Sequence, residues 1–146
     1  MLELKKILPE GKIGIQTQMV QPADTRGNHV QWMNEFMGTP AYVDMIIRAA
    51  VDMIDKHLPE GYVSVGSSTE LHHIAPTSLG MNISVKLKLV EIRGEHLIFD
   101  VVFWDDIGET ARGTHERAVV SREKLHQKAQ QRRRFLAERS FSNKTS

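Results

Sequence analysis

The chain has 146 residues, the size of one domain, so a single hydrophobic core and no second module are expected. Hydrophobic residues make up 40% and charged residues 25%, the balance of a globular protein rather than a disordered one. A net charge of +1 gives no global field toward nucleic acid or a membrane, and the lack of cysteine excludes disulfides, thiolate metal sites and a cysteine nucleophile.

Met1 to Lys12 mixes Glu and Lys with a few apolar residues and has no apolar h-region, so no signal peptide is expected. Asp or Arg breaks the longer apolar stretches well short of the roughly 18 residues of a membrane span. Together with the cysteine-free composition, this predicts a soluble cytoplasmic protein. From Lys12 to Val20 the residues Ile13, Ile15, Thr17 and Met19 share one parity, the period of a half-buried strand. Gln21 to Asn28 is rich in turn formers and reads as a loop. His29 to Met37 reads as a short helix or lid-like segment, with Trp32 as a lid or pocket wall.

Thr39-Pro40 supplies an N-cap hydroxyl followed by proline at the first helical position. The residues from Ala41 to Leu58 are mostly apolar, interrupted chiefly by Asp44, Arg48, Asp52 and Asp55 on one stripe, which predicts a helix buried on most sides. Pro59-Glu60-Gly61 stops it. Strand signals follow: Tyr62 to His73, then Met81 to Leu89 with strict alternation, then Leu97 to Phe103, then Thr110 to Val120. Arg93-Gly94-Glu95 reads as a hairpin turn and Asp105 to Glu109 as another. From Arg122 the chain reads as a polar helix that frays into Ser142 to Ser146. The domain is expected over residues 1–128, with 129–146 as a basic helix or tail. The run Arg132-Arg133-Arg134, flanked by Lys124, Lys128 and Arg139, is ordinarily a solvated face; its functional alternative is contact with a nucleotide phosphate.

One strand, one very apolar helix and four strands joined mainly by short turns make an α+β architecture. An antiparallel sheet curled around the helix buries it best, the layout of the hot dog fold, and its open edges are expected to pair between protomers.

Gly113-Thr114-His115-Glu116-Arg117-Ala118-Val119 resembles the last strand of the fluoroacetyl-CoA thioesterase family. Thr39-Pro40-Ala41 is similar to that family's Thr-bearing start of the central helix. His73-Ile74-Ala75-Pro76-Thr77-Ser78-Leu79-Gly80 is similar to its His-x-Ala-x-Thr-x-x-Gly turn. The resemblance covers roughly residues 13 to 128. It implies working residues at Thr39 and His73, assisted by the Gly66 amide and by Arg117. The family's carboxylate, eight residues after the Thr, falls on Ile47, and Arg48 beside it is no acid either.

Thioester hydrolysis needs a nucleophile, a base to take its proton and donors for the developing oxyanion. His73 has the ordinary pKa range of a base at neutral pH, Gly66 lets a backbone N–H approach a carbonyl, and Thr39 sits at a helix N-terminus. Asp44 is the nearest substitute acid, but it lies about 60° round the helix from Ile47 and has Arg48 four residues on to hold it elsewhere. Against these roles stand structural readings: Thr39 as an ordinary cap, His73 as a packing residue and Arg117 as an ion-pair partner. His72 and His73 point to opposite faces of a strand, which argues against joint metal binding; His115 and Glu116 do likewise.

The expected activity is therefore hydrolysis of a short- or medium-chain acyl-CoA by a homodimer, with dimers pairing further as an option. CoA arrives as part of the substrate and no separate cofactor is expected. The alternative is a hot dog protein that binds an acyl-CoA but hydrolyses it little, because position 47 is Ile. A dehydratase-like lyase fits less well, since such sites pair His with a carboxylate. A fainter similarity of Asp24 to Val30 to hydroxybenzoyl-type hot dog thioesterases places that family's acid on Arg26, which again lacks the carboxylate.

Overall fold

The structure, a computed structural model, describes residues 2–145, with side chains described for 2–141. Five strands, β1 (Ile13–Met19), β2 (Tyr62–His73), β3 (Asn82–Arg93), β4 (His96–Asp105) and β5 (Glu109–Ser121), form one antiparallel sheet in the order β1-β3-β4-β5-β2. Helix α1 (Thr39–Ile54) packs on the concave face, and a second helix, α2 (Arg122–Thr145), leaves the end of β5. The first helix ends four residues before Leu58, because Asp55 to His57 tightens into a 3-10 turn.

Alternation decides which residues fill the core. Ile83, Val85, Leu87 and Leu89 of β3 and Leu97, Phe99, Val101 and Phe103 of β4 are buried, facing Tyr42, Met45, Ile46, Ala49, Ala50, Met53 and Ile54 of α1. Leu4 and Leu8, from a segment given no element above, join that core.

Two expectations need correcting. In β1 the apolar parity points outward: Ile13 is 52% and Ile15 57% exposed, while Gly14, Gln16 and Gln18 face α1. The reason is steric and polar together. A Cβ at Gly14 would press on the Met53 side chain, and Gln16 and Gln18 hydrogen-bond Asp52 and Arg48. The helix, too, is not buried on most sides. Its buried residues occupy one broad face, leaving Ile47 39% and Val51 37% exposed.

The second helix carries no exposed-versus-buried stripe; every residue from Arg122 to Phe141 is exposed. It begins at Arg122 and continues unbroken past the expected domain limit at residue 128. The side chains of the expected frayed end, 142–146, lie outside the described residues. No described helix is long and apolar enough to cross a membrane.

Gly113 explains itself sterically. A Cβ there would collide with the backbone carbonyl of Glu70 and crowd the Cα of Leu71, neither of which can swing aside as a side chain would. Gly113→Ala is expected to pry β2 from β5 and cost at least about 2 kcal/mol in urea denaturation. Gly108→Ala, at a position with open space around the new Cβ, is expected to stay within about 0.5 kcal/mol.

Candidate functional site

The start of α1 is fixed from both sides by backbone bonds. Gly38 N–H donates to Asp24 O at 2.8 Å, and the Asn28 side-chain amide donates to Phe36 O at 2.8 Å. On the other side, Met37 N–H donates to Thr77 O at 3.0 Å and Leu79 N–H to Glu35 O at 2.7 Å. Thr77, fully buried, donates its hydroxyl to Asp105 at 2.9 Å. The turn after β2 is thereby bolted to the segment before α1, which brings Thr39 to the end of β2.

There Thr39 Oγ1 lies 3.1 Å from His73 Nε2. Gly38, not Thr39, is the N-cap residue, with Pro40 in the first turn, so the Thr39 hydroxyl is not spent on capping. The edge of Tyr42 meets the His73 ring at a centroid distance of 4.9 Å and 83° between planes, and Tyr42 itself rests on Phe103. Partial burial pulls the His73 pKa below its ordinary value, so the imidazole is neutral at pH 7.

Gly66 and Arg117 lie elsewhere. Both belong to the β2–β5 pair, Gly66 opposite Arg117 and His73 opposite Ala111, six residues apart along β5 or about 20 Å. A bulge between Gly66 and Ser68 keeps Gly66, Thr69, Leu71 and His73 all on the concave face. A Cβ at Gly66 would sit in van der Waals contact, 3.5 Å from Arg117 Nη1 and 3.6 Å from His115 Cε1, so a side chain there would lie over these two groups.

Arg117 is 4% exposed and anchors a chain of polar contacts. Its Nε donates to Ser64 Oγ and its Nη2 to Ser64 O, both at 2.8 Å; Ser64 Oγ in turn donates to Asp55 Oδ1 at 2.5 Å. Arg117 Nη1 lies 3.2 Å from His115 Nε2, and His115 Nδ1 lies 2.7 Å from Thr69 Oγ1. Burial first, and the Arg117 charge second, push the His115 pKa down to about 4, only partly offset by the Ser68 backbone. Burial also lowers the Arg117 pKa, and the Asp55 carboxylate opposes that.

The remaining sequence candidates are not at either place. Asp44 pairs with Arg48 Nε at 2.9 Å, and Arg48 reaches Gln18 of β1 at 2.7 Å, which draws this acid toward the far edge of the sheet. Ile47 stands about 12 Å along α1 from Thr39 and about 80° round it. Trp32 lies in a short 3-10 turn and is 75% exposed. Sequence reasoning gave Asp55, Ser64 and Thr69 no role in a site and saw His115 only as part of a motif. Nothing in the spacing of those four announces a network, because it closes across three elements. Among the described residues no cluster of three or more His, Asp or Glu side chains is arranged to hold a metal ion.

The model of the family described as fluoroacetyl-CoA-specific thioesterase matches residues 20–123. The fluoroacetyl-CoA thioesterase of Streptantibioticus cattleyicolor is 32% identical over 98 residues, covering 67% of this chain and 70% of that protein. A hot-dog-like protein from Thermanaerovibrio acidaminovorans superposes with a TM-score of 0.87 at 30% identity, covering 90% of this chain and 97% of that one. A crystal structure of the fluoroacetyl-CoA thioesterase superposes at 0.76 with 27% identity, covering 85% and 96%. The curled sheet and its helix are thus the hot dog fold.

The depressed His115 pKa has a sign that can be measured. Unfolded, this histidine takes up a proton near pH 6.5; folded, only near about 4. The unfolded state therefore binds more protons between those values, so stability is full above pH 6.5 and declines as the pH falls toward 4, by about 3 kcal/mol. Urea midpoints across this window are expected to fall in the native protein and to change much less in His115→Gln, whose amide both accepts and donates without titrating.

Proposed function

The chain belongs to the fluoroacetyl-CoA-specific thioesterase family, and from that premise we propose that it hydrolyses a short- or medium-chain acyl-CoA in a site shared by two copies of itself. The observation that carries this reading is the Thr39–His73 hydrogen bond at the N-terminus of α1. A water that inserts between the neutral imidazole and the hydroxyl, replacing their direct bond, accepts from Thr39 and gives its proton to His73 Nε2. Its oxygen bonds to the thioester carbon, the C–S bond breaks, and the CoA thiolate leaves with the proton returned from His73. The Gly66 N–H, backed by the Arg117 charge, holds the oxyanion.

The geometry within one protomer supports sharing. The Thr39–His73 pair and Gly66 are about 20 Å apart, beyond the reach of one thioester. Strand β2 is an edge of the sheet, with a row of unpaired backbone groups. Antiparallel pairing with a second β2 about a two-fold axis at Glu70 would set His73 of one copy opposite Gly66 of the other, since Glu70 pairs with Thr114, midway between Ala111 and Arg117. The exposed flank of Val51 and Ile47 supplies apolar area beside that edge. The outward Ile13 and Ile15 offer a further surface on which such dimers would pair.

Arg117 is too deeply committed to meet CoA phosphates, so that contact falls to exposed arginines of α2, Arg132 to Arg134. CoA enters as part of the substrate, and no other cofactor enters this scheme. A cytoplasmic location accords with the absence of cysteine.

Steady-state hydrolysis over a panel of acyl-CoA chain lengths tests the proposal. His73→Ala is expected to lower kcat/KM by at least about 100-fold. The native acid limb is expected to fall at a pH below the ordinary histidine value, following the lowered His73 pKa. An unchanged rate in His73→Ala removes this residue from the mechanism.

A second reading rests on Ile47: an acyl-CoA binder with little hydrolysis, disarmed by loss of the family's acid. If so, Ile47→Glu is expected to raise hydrolysis of the native protein's best-bound acyl-CoA by at least about tenfold, with binding retained in isothermal titration. No gain over an already active native protein decides for the histidine–threonine mechanism.

A further inference from the structure

The polar chain behind Gly66 has a direction. A guanidinium only donates, so His115 Nε2, facing Arg117 Nη1, must be the acceptor and carries no proton. The neutral ring then bears its proton on Nδ1, and this donates to Thr69 Oγ1 at 2.7 Å. With one lone pair filled from behind, Thr69 turns its own hydroxyl proton away from His115. Thr69 is exposed and stands on the concave face one pleat from Gly66. At the other end, Ser64 and the Asp55 carboxylate hold Arg117 in place. Each bond polarises the next, so the charge of a buried cation reaches the surface as a strengthened donor.

From this we infer that Thr69 is a specificity residue: its hydroxyl donates to an acceptor oxygen carried on the acyl group near the thioester carbonyl, with His115 and Arg117 as positioning residues. The preferred substrates are acyl-CoAs with an oxo or carboxyl oxygen a bond or two beyond the thioester, rather than plain alkyl chains. The spacing agrees, since one strand pleat is about 7 Å and a hydrogen bond spans about 3 Å of it. Position 69 carries no weight in the similarity drawn from sequence; its role comes from the contact with His115. This inference rests on the hydrolase reading for its substrate class but not for its measurement.

Acetoacetyl-CoA and butyryl-CoA, equal in carbon number, are the probes. Native protein, Thr69→Val and Thr69→Ser are assayed for kcat/KM on both and, by isothermal titration, for Kd on both. The β-branched, nearly isosteric Val keeps the strand preference and deletes the hydroxyl, both the outward donor and the acceptor facing His115. Thr69→Val is expected to reduce acetoacetyl-CoA turnover or binding about tenfold more than it reduces butyryl-CoA. Thr69→Ser is expected to restore the difference, and His115→Gln to weaken it in the same sense without touching substrate. A purely structural role would lower both substrates together. Equal losses on the two substrates, or a loss that Ser does not rescue, overturn the inference while leaving hydrolysis intact. Selective Kd changes in a protein that hydrolyses neither ester uphold it and discard the hydrolase reading.

Discussion

A guanidinium held at 4% exposure must find partners for its donors, and Arg117 finds them in the hydroxyl and carbonyl of Ser64 on the neighbouring strand and in His115 two residues away on its own. Much of the open edge of the molecule follows from that demand. Ser64 is fixed because it accepts from Arg117 while donating to Asp55, which ties the end of α1 to the start of β2. His115 is fixed in one tautomer, and its low proton affinity follows from burial beside the cation. Gly66, with no side chain, leaves the pair uncovered.

At the opposite end of β2 the requirement is different. Thr39 and His73 meet because two loops far apart in sequence, 21–38 and 74–80, lock onto each other through backbone bonds. The helix start is capped by Gly38 rather than by Thr39, so a residue that looks like an ordinary cap is released to face a histidine. The same helix divides its polar and apolar exposed residues between flanks: Asp44, Arg48 and Asp52 are engaged toward β1, and Ile47 and Val51 are left bare. Position 47, where the resemblance read from the sequence leads one to expect a carboxylate, holds an apolar side chain on the bare flank.

Two polar centres at the two ends of one edge strand, each incomplete for acyl transfer, are the physical basis for reading the chain as half of a paired assembly. One end offers a base and a hydroxyl; the other offers a backbone amide and a buried cation. Antiparallel pairing of the edge strand in the proposed dimer would exchange those ends. It would also remove the unpaired backbone row that otherwise remains on β2.

The order of elements, the α+β class, the inward parity of β3 and β4 and the similarity carried by Gly113 to Val119 were legible in the residues, because period-two alternation and a local motif are properties of neighbours along the chain. The pairing of Asp44 with Arg48 was legible for the same reason, being one helical turn. The outward parity of β1 was not, since apolarity alone suggested the reverse and only the packing of Met53 on Gly14 decides it. Nor was the line from Asp55 through Ser64, Arg117 and His115 to Thr69, whose links join residues as many as 53 positions apart and close only through folding. Local sequence determined which elements form and which face most of them bury; the burial of one cation, which sets tautomer, charge and exposed donor, exists only where a helix end and two strands converge.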